Sequence, residues 1–295
     1  MVAAGRSRCR AVAHPKAAAR DESATTPSMT EKQAAKLASL RELRRLYVVE
    51  AKPLTAEIEK QLEGDPRVGV QSILRSVRAR REKNRAEGQR LRRMLRYERA
   101  CWEKGYSTIA GIDEAGMSPL AGPVVAGAIV LPTEYRLAGV DDSKKLDASR
   151  REELAAQLKR DAVSFATGFV SPLEIDQINI YQAGLLAMRR AVEGLSVVPD
   201  MLLIDARPLK ALPMAQKSII KGDQESFTIA AASIIAKTAR DAYMCELDRR
   251  YPGYGFAKHK GYPVRSHVEA LHELGLCAEH RRSFRPVREA MAAAT

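Results

Sequence analysis

The sequence predicts an α/β layered domain behind a basic helical extension. Two observations carry this. From residue 106 onward, short apolar runs alternate with stretches of helical periodicity, the pattern of strands and helices packed in layers. Before that point the spacing is helical throughout and the charge is lopsided. Residues 1–100 hold 24 Lys and Arg against 12 Asp and Glu, whereas the rest of the chain holds 25 against 24. The formal charge of +13 therefore belongs to the N-terminal third. Such asymmetry suits a polyanion partner, nucleic acid first, although a solvated basic helix has the same composition.

Element by element, residues 1–29 are rich in Ala, Arg and Ser and read as a disordered tail, with Met29 as an alternative start. Residues 30–105 form the extension. Thr30 and Gln33 make a capping box, and Leu37, Leu40, Leu43 and Leu46 follow at helical spacing until Pro53. Thr55 caps a short second helix. Asp65-Pro66 opens a third, expected to run unbroken from about 66 to 101 with Gly88 as its weak point. Its middle is dense in arginine: Arg75, Arg78, Arg80, Arg81, Arg85, Arg90, Arg92, Arg93 and Arg96.

Residues 106–295 form the second domain. Strands are expected at 107–112, 124–131, 162–170, 200–204 and 218–221, and the first two are expected to pair antiparallel. Helices are expected at 149–160, 179–195, 227–250 and 263–274.

Composition excludes several classes. The longest apolar runs are strand-sized, so no membrane helix is expected. The N-terminus lacks the apolar core of a secretory signal, and Asp21 and Glu22 argue against a transit peptide. Cys9, Cys101, Cys245 and Cys277 are too scattered for a metal knuckle or a redox pair, which fits free thiols in a reducing, cytoplasmic setting.

The chemistry is concentrated in acids. Asp113 and Glu114 close an apolar run and precede the glycine turn Gly116-Met117-Ser118. Asp205 follows Met201-Leu202-Leu203-Ile204, and Asp223 follows Ile219-Ile220-Lys221-Gly222. Converging carboxylates repel and shift one another's pKa unless a cation joins them. Two divalent ions flanking a phosphodiester would remove that conflict. Each Asp alone is equally at home as a turn former or helix cap, Asp223 above all.

At these motifs the chain resembles bacterial ribonuclease HII over residues 106–288. The resemblance rests on 109–123, Asp142-Ser143-Lys144-Lys145-Leu146, Leu203-Ile204-Asp205 and Ile220-Lys221-Gly222-Asp223. It continues through 229–237, 251–256, His259-Lys260-Gly261-Tyr262 and His280-Arg281-Arg282-Ser283-Phe284. Residues 65–99 resemble, more loosely, the helical extension of some members.

The resemblance implies a ribonuclease H-like mixed central sheet flanked by helices. It implies cleavage of RNA in RNA–DNA hybrids and of ribonucleotides embedded in duplex DNA, giving 5′-phosphate and 3′-hydroxyl ends. Asp113, Glu114, Asp205 and Asp223 are then the catalytic, metal-holding acids for two Mg²⁺ or Mn²⁺ ions. Gly116, Met117, Ser118, Ser143, Lys144, Lys145 and Tyr262 are the implied substrate contacts, with Tyr262 against the junction sugar. A monomer is expected.

Two departures stand out. Gly116-Met117-Ser118 replaces the family's Gly-Arg-Gly, and Asp205-Ala206-Arg207 replaces Asp-Gly-Asn. A low-turnover hybrid-binding protein with an impaired junction turn is the alternative that these changes raise. A third reading makes the basic extension the main functional part. Lys237, Arg281 and Arg282 are read either as phosphate contacts or as salt-bridge formers.

Overall fold

The computed structural model describes residues 39–293, so the expectations for 1–29 and for the Thr30 capping box lie outside the described residues. The chain divides into two compact units, one ending at Glu82 and one beginning at Lys83. In the first unit α1 (Leu40–Arg44) runs into a π-helical turn (Arg45–Val49) and is followed by α2 (Ala56–Glu63). Thr55 Oγ1 caps α2 through the Ile58 N–H, as expected. Leu43, Tyr47, Leu62, Val70, Leu74 and Val77 make this unit's core. Glu59 and Glu63 bind Arg78, and Glu59 also binds Arg81, so part of the basic run is neutralised locally.

The third helix is not continuous. α3 (Val68–Met94) passes through Gly88, and the break comes at Leu95, with α4 (Arg96–Trp102) after it. Leu95 leaves helical geometry while its side chain, with Leu91 and Met94, is buried among Phe227, Ala230 and Ile234. Packing, rather than glycine, sets the break. Glu98 is buried too. Its Oε1 accepts from Ser226 Oγ, Thr228 N–H and Thr228 Oγ1.

The second unit is built on a five-stranded sheet in the order β3-β2-β1-β4-β5. The strands are β1 (Ile109–Ala115), β2 (Val124–Val130), β3 (Ser164–Val170), β4 (Met201–Asp205) and β5 (Ala215–Ile219). The β1–β2 and β2–β3 pairs are antiparallel, and the β1–β4 and β4–β5 pairs are parallel. The sheet is therefore mixed, as the resemblance implied. The remaining helices are α5 (Ala148–Asp161), α6 (Pro172–Glu193), α7 (Gly222–Glu225), α8 (Phe227–Arg250), α9 (Phe256–His259), α10 (Arg265–Leu274) and α11 (Arg285–Ala293).

Several boundaries differ from the sequence reading. β1 was expected to stop at 112, but pairing continues to Ala115 opposite Val125, so Asp113 and Glu114 lie within the strand. β5 starts and stops earlier than 218–221, because Lys221 turns left-handed (φ 56°) to open α7. α6 begins seven residues before 179, on a Ser171–Glu174 capping box, and kinks at Asn179.

One helix covers each face of the sheet. Ala110, Ile112, Ala126 and Ile204 face α6 through Ala183, Ala187 and Met188. On the other face Gly111 meets α8 so closely that a Cβ would lie 2.3 Å from the Thr228 backbone. That approach admits no side chain.

Candidate active site

Strand geometry brings the acids together. In the parallel β1–β4 register Ile112 stands beside Ile204, so the next residues, Asp113 and Asp205, are neighbours 92 positions apart in sequence. Alternation puts Asp113 on the Gly111 face beneath α8 and Glu114 on the opposite face. Near the strand ends both side chains still converge. One carboxylate oxygen from each of Asp113, Glu114 and Asp205 lies within 4.8 Å of the others. It is the one such acid or His/Cys cluster among the described residues.

The cluster is electrostatically uncomfortable. Asp113 is only 4% exposed, and burial, with the charges of Glu114 and Asp205 added, holds its carboxyl well above the usual range. Burial and Asp205 push Glu114 up to about 6, against a counter-pull from Arg207. Burial also raises Asp205, although its Oδ1 accepts the Gly222 N–H at 2.6 Å. Glu114 Oε2 is buried with no hydrogen-bond partner. A buried unpaired oxygen on an acid of this cluster is one that a divalent cation would satisfy.

Asp223 sits on α7 beside the trio but outside it, and its Oδ2 takes the Lys144 ammonium at 3.2 Å. Lys145 pairs with Asp141 at 3.2 Å on the surface. Ser143 is buried, and its hydroxyl meets Ser233 Oγ at 2.7 Å. That places Ser143 behind Asp113 rather than on a phosphate-facing surface. Lys237 pairs with Asp241 through its ammonium, whereas Arg282 bonds Asp176 through its backbone N–H and its side chain is exposed. Ala206 takes φ 56°, a left-handed conformation that costs about 1 kcal/mol for a residue with a Cβ. Arg207 then stacks over Tyr181 at 4.4 Å from the ring centroid.

The profile of the ribonuclease HII family matches residues 110–287, and that of the ribonuclease HII N-terminal domain matches residues 39–102. This chain belongs to the ribonuclease HII family. Ribonuclease HII of Myxococcus xanthus is 59% identical over 254 residues, covering 86% of this chain and 87% of the relative. Ribonuclease HII of an Anaeromyxobacter species is 54% identical over 253 residues, covering 86% and 80%. The crystal structure of ribonuclease H2 from Pyrococcus horikoshii superposes with a TM-score of 0.55 at 27% identity, covering 63% of this chain and 98% of that one.

As a ribonuclease HII, the chain is a metal-dependent endoribonuclease acting on RNA–DNA hybrids. The trio fits that requirement, since three hard oxygen donors and an unsatisfied Glu114 Oε2 suit a divalent cation that prefers oxygen. No helix among the described residues is long and apolar enough to cross a membrane.

The turn after β1 is tied to the segment around Tyr262, since the Leu120 N–H donates to Gly261 O at 2.8 Å. Gly116 has φ +94°, and a Cβ there would lie 2.2 Å from Arg240 Nε. Met117 turns its side chain inward, toward Gly184 on α6. Ser118 is exposed. Tyr262 is 39% exposed, and its carbonyl is held by a chain of imidazoles that the sequence reading passed over. His267 Nδ1 lies 2.9 Å from Tyr262 O, an acceptor, so that nitrogen carries the proton. His267 Nε2 is then bare and accepts from His280 Nε2–H at 3.2 Å. His280 Nδ1 in turn accepts the Cys277 N–H at 3.1 Å. Both rings are neutral in this pattern. Burial, aided by His267, pushes His280 down to about 4, and burial lowers His267 as well.

Proposed function

We propose that this ribonuclease HII hydrolyses the phosphodiester beside a ribonucleotide, both in continuous RNA–DNA hybrids and at single ribonucleotides embedded in duplex DNA. The products carry 5′-phosphate and 3′-hydroxyl ends. The convergence of Asp113, Glu114 and Asp205 around the unpartnered Glu114 Oε2 is the observation that carries the reading. Asp113, between the other two, is the acid best placed to hold both of two ions. Glu114 and Asp205 complete the donor set, and Asp223 serves as an outer ligand or holds a water. Mg²⁺ and Mn²⁺ are the ions proposed, and they supply charge neutralisation and activation of the attacking water.

The remaining roles follow from position. The backbone of Gly116-Met117-Ser118 contacts the junction nucleotide, and Tyr262 packs against its sugar, since a 2′-hydroxyl is what marks RNA within DNA. Lys144, which pairs with Asp223 here, would meet a phosphate as a point charge. Lys145 adds a surface charge, and Ser143 supports Asp113 through Ser233. All four acids are present, which favours an enzyme over a low-turnover binder. Residues 30–105 are proposed as a basic extension that adds phosphate contacts through exposed Arg75, Arg85, Arg92 and Arg93, and 106–295 as the catalytic domain. A cytoplasmic monomer is the assembly proposed.

The test is cleavage with Mg²⁺ or Mn²⁺ of two substrates, a duplex with one ribonucleotide and a continuous hybrid. Cutting of both is expected. Cutting of the hybrid alone would show that the altered turn no longer reads a single ribonucleotide, and no cutting of either would defeat the reading.

A further inference from the structure

Two guanidinium groups are buried beneath the reading half of the site without a carboxylate partner. Arg240, on α8, is 1% exposed and Arg281 is 0% exposed. Every hydrogen bond they make goes to a backbone carbonyl. Arg240 donates to Pro123 O at 3.0 Å, Lys260 O at 3.0 Å and Ala121 O at 3.2 Å. Arg281 donates to Gly122 O at 2.9 Å, Met117 O at 3.2 Å and Gly116 O at 2.6 Å. Burying a cation costs several kcal/mol, which carbonyl dipoles only partly offset. A fold that needed only apolar support under this turn would be better served by leucine or methionine.

What the arginines provide is direction. In a planar trans peptide the C=O of one residue and the N–H of the next point opposite ways. With the Gly116 and Met117 carbonyls drawn inward by Arg281, the N–H groups of Met117 and Ser118 face outward. Neither has a backbone or side-chain acceptor among the described residues. Successive N–H groups presented this way form a concave anion site that owes nothing to the side chains carrying them. Arg240 adds the second link. It bonds both the 116–123 turn and Lys260, two residues before Tyr262.

We propose that Arg240 and Arg281 are positioning residues for ribonucleotide recognition, holding the Met117 and Ser118 N–H groups and the Tyr262 segment in one register. The proposal rests on the reading of those groups as substrate contacts. It explains how a turn with Met117 and Ser118 in place of arginine and glycine keeps its function, because the contact surface is backbone fixed from behind. Lysine keeps the charge but loses the planar fork that orients several carbonyls at once.

The experiment compares wild type with R281K and R240K on the two substrates, with R151K as a control. Arg151 is a third buried arginine, bonded to Ser143 O, Leu146 O and Asp241, away from the turn. R281K and R240K should lose about tenfold or more in kcat/KM on the single-ribonucleotide duplex, mostly through KM, and about threefold or less on the continuous hybrid. A hybrid offers a 2′-hydroxyl in every register, so misalignment there is tolerated. R151K should affect both substrates equally. Equal losses on both substrates in R281K and R240K would reduce the arginines to structural support and overturn the proposal.

If the arginine variants do not melt cooperatively, amide hydrogen exchange in Asp113→Asn protein with Mg²⁺ decides. Exchange of the Met117 and Ser118 amides should be fast in the free protein. A duplex with one ribonucleotide should slow it, and an all-DNA duplex should slow it less. No slowing, or equal slowing by both duplexes, would overturn the proposal. A wild type that cuts neither substrate would instead defeat the functional reading, and the exchange measurement separates the two because it needs no turnover.

Discussion

The two halves of this site are built on opposite electrostatic principles. On the acid side Asp113, Glu114 and Asp205 crowd like charges together and leave Glu114 Oε2 without a partner. On the proposed reading side Arg240, Arg281 and His267 satisfy carbonyls of the 116–123 turn and of the 260–262 segment, and His280 donates to His267 behind them. The acid side gathers hard oxygen donors whose mutual repulsion a divalent cation would relieve. The turn side has its buried carbonyls satisfied within the protein, which suits the backbone recognition proposed for it.

The comparison can be broken at its common support first. Leu91, Met94, Leu95 and Cys101 are buried in the second unit, and Glu98 bonds the start of α8, which passes behind both halves. Truncation through residue 102 should therefore abolish folding. Losing each large apolar side chain costs about 2–5 kcal/mol, against a total stability of about 5–15 kcal/mol. Circular dichroism melts would show it, and a cooperative melt near the full-length temperature would refute it. The same truncation cannot then isolate the role of the basic extension, for which substitution of the exposed Arg75 and Arg85 is the cleaner route.

On the acid side D113N should reduce hydrolysis about 10³-fold or more, since the acid proposed to hold the metal is lost. Its metal-free stability should nevertheless rise at neutral pH. Asp113 has a folded pKa raised by burial and by like charge, so the folded state binds the proton more tightly than the unfolded one. Wild-type stability consequently falls as pH rises through that range, and Asn removes the slope. Melting temperatures at pH 5 and pH 8 for both proteins test this; a lower melting temperature for D113N at pH 8 would count against the repulsion account.

The reading side should show the opposite pH response. His280 is depressed to about 4, so between there and its unfolded value near 6.5 the unfolded chain holds more protons. Stability should fall as pH drops through that window, because a protonated His280 or His267 would set two N–H donors against each other. His280→Asn should flatten the dependence even if its melting temperature at pH 7 is lower. The smallest effect is expected at Lys145, whose exposed pair with Asp141 contributes about 0.5 kcal/mol or less. K145A should leave the melting temperature within about a degree and cleavage within about threefold at moderate salt. K144A, beside Asp223, should cost more.

Much of the acid side was legible in the sequence because its signal is local. Each acid follows an apolar run, and motif spacing supplied the family. Where the strand ended was less legible, since pairing with β2 carries β1 through Asp113 and Glu114, which composition alone would place in a turn. The reading side was largely hidden. Arg281 read as a phosphate contact or a C-terminal salt-bridge former because nothing nearby in sequence reveals its three carbonyl partners, Gly116, Met117 and Gly122. Arg240 gave a fainter signal that could have been used: it sits in an apolar stripe with Ala236, Met244 and Leu247, all buried, where a solvated arginine has no place. The imidazole chain required the 3.2 Å approach of His267 and His280 to be seen.

The parallel register of β1 and β4 also bears on how the enzyme comes into being. Asp113 and Asp205 become neighbours only when a crossover containing β2, β3 and α6 has closed, and such long-range pairing is slow. Chains still on the ribosome with fewer than 205 residues hold Asp113 and Glu114 without Asp205, and so only part of the cluster's repulsion. The three-acid cluster, and the divalent-ion site it would make, therefore cannot exist before β4 has been made and has paired with β1.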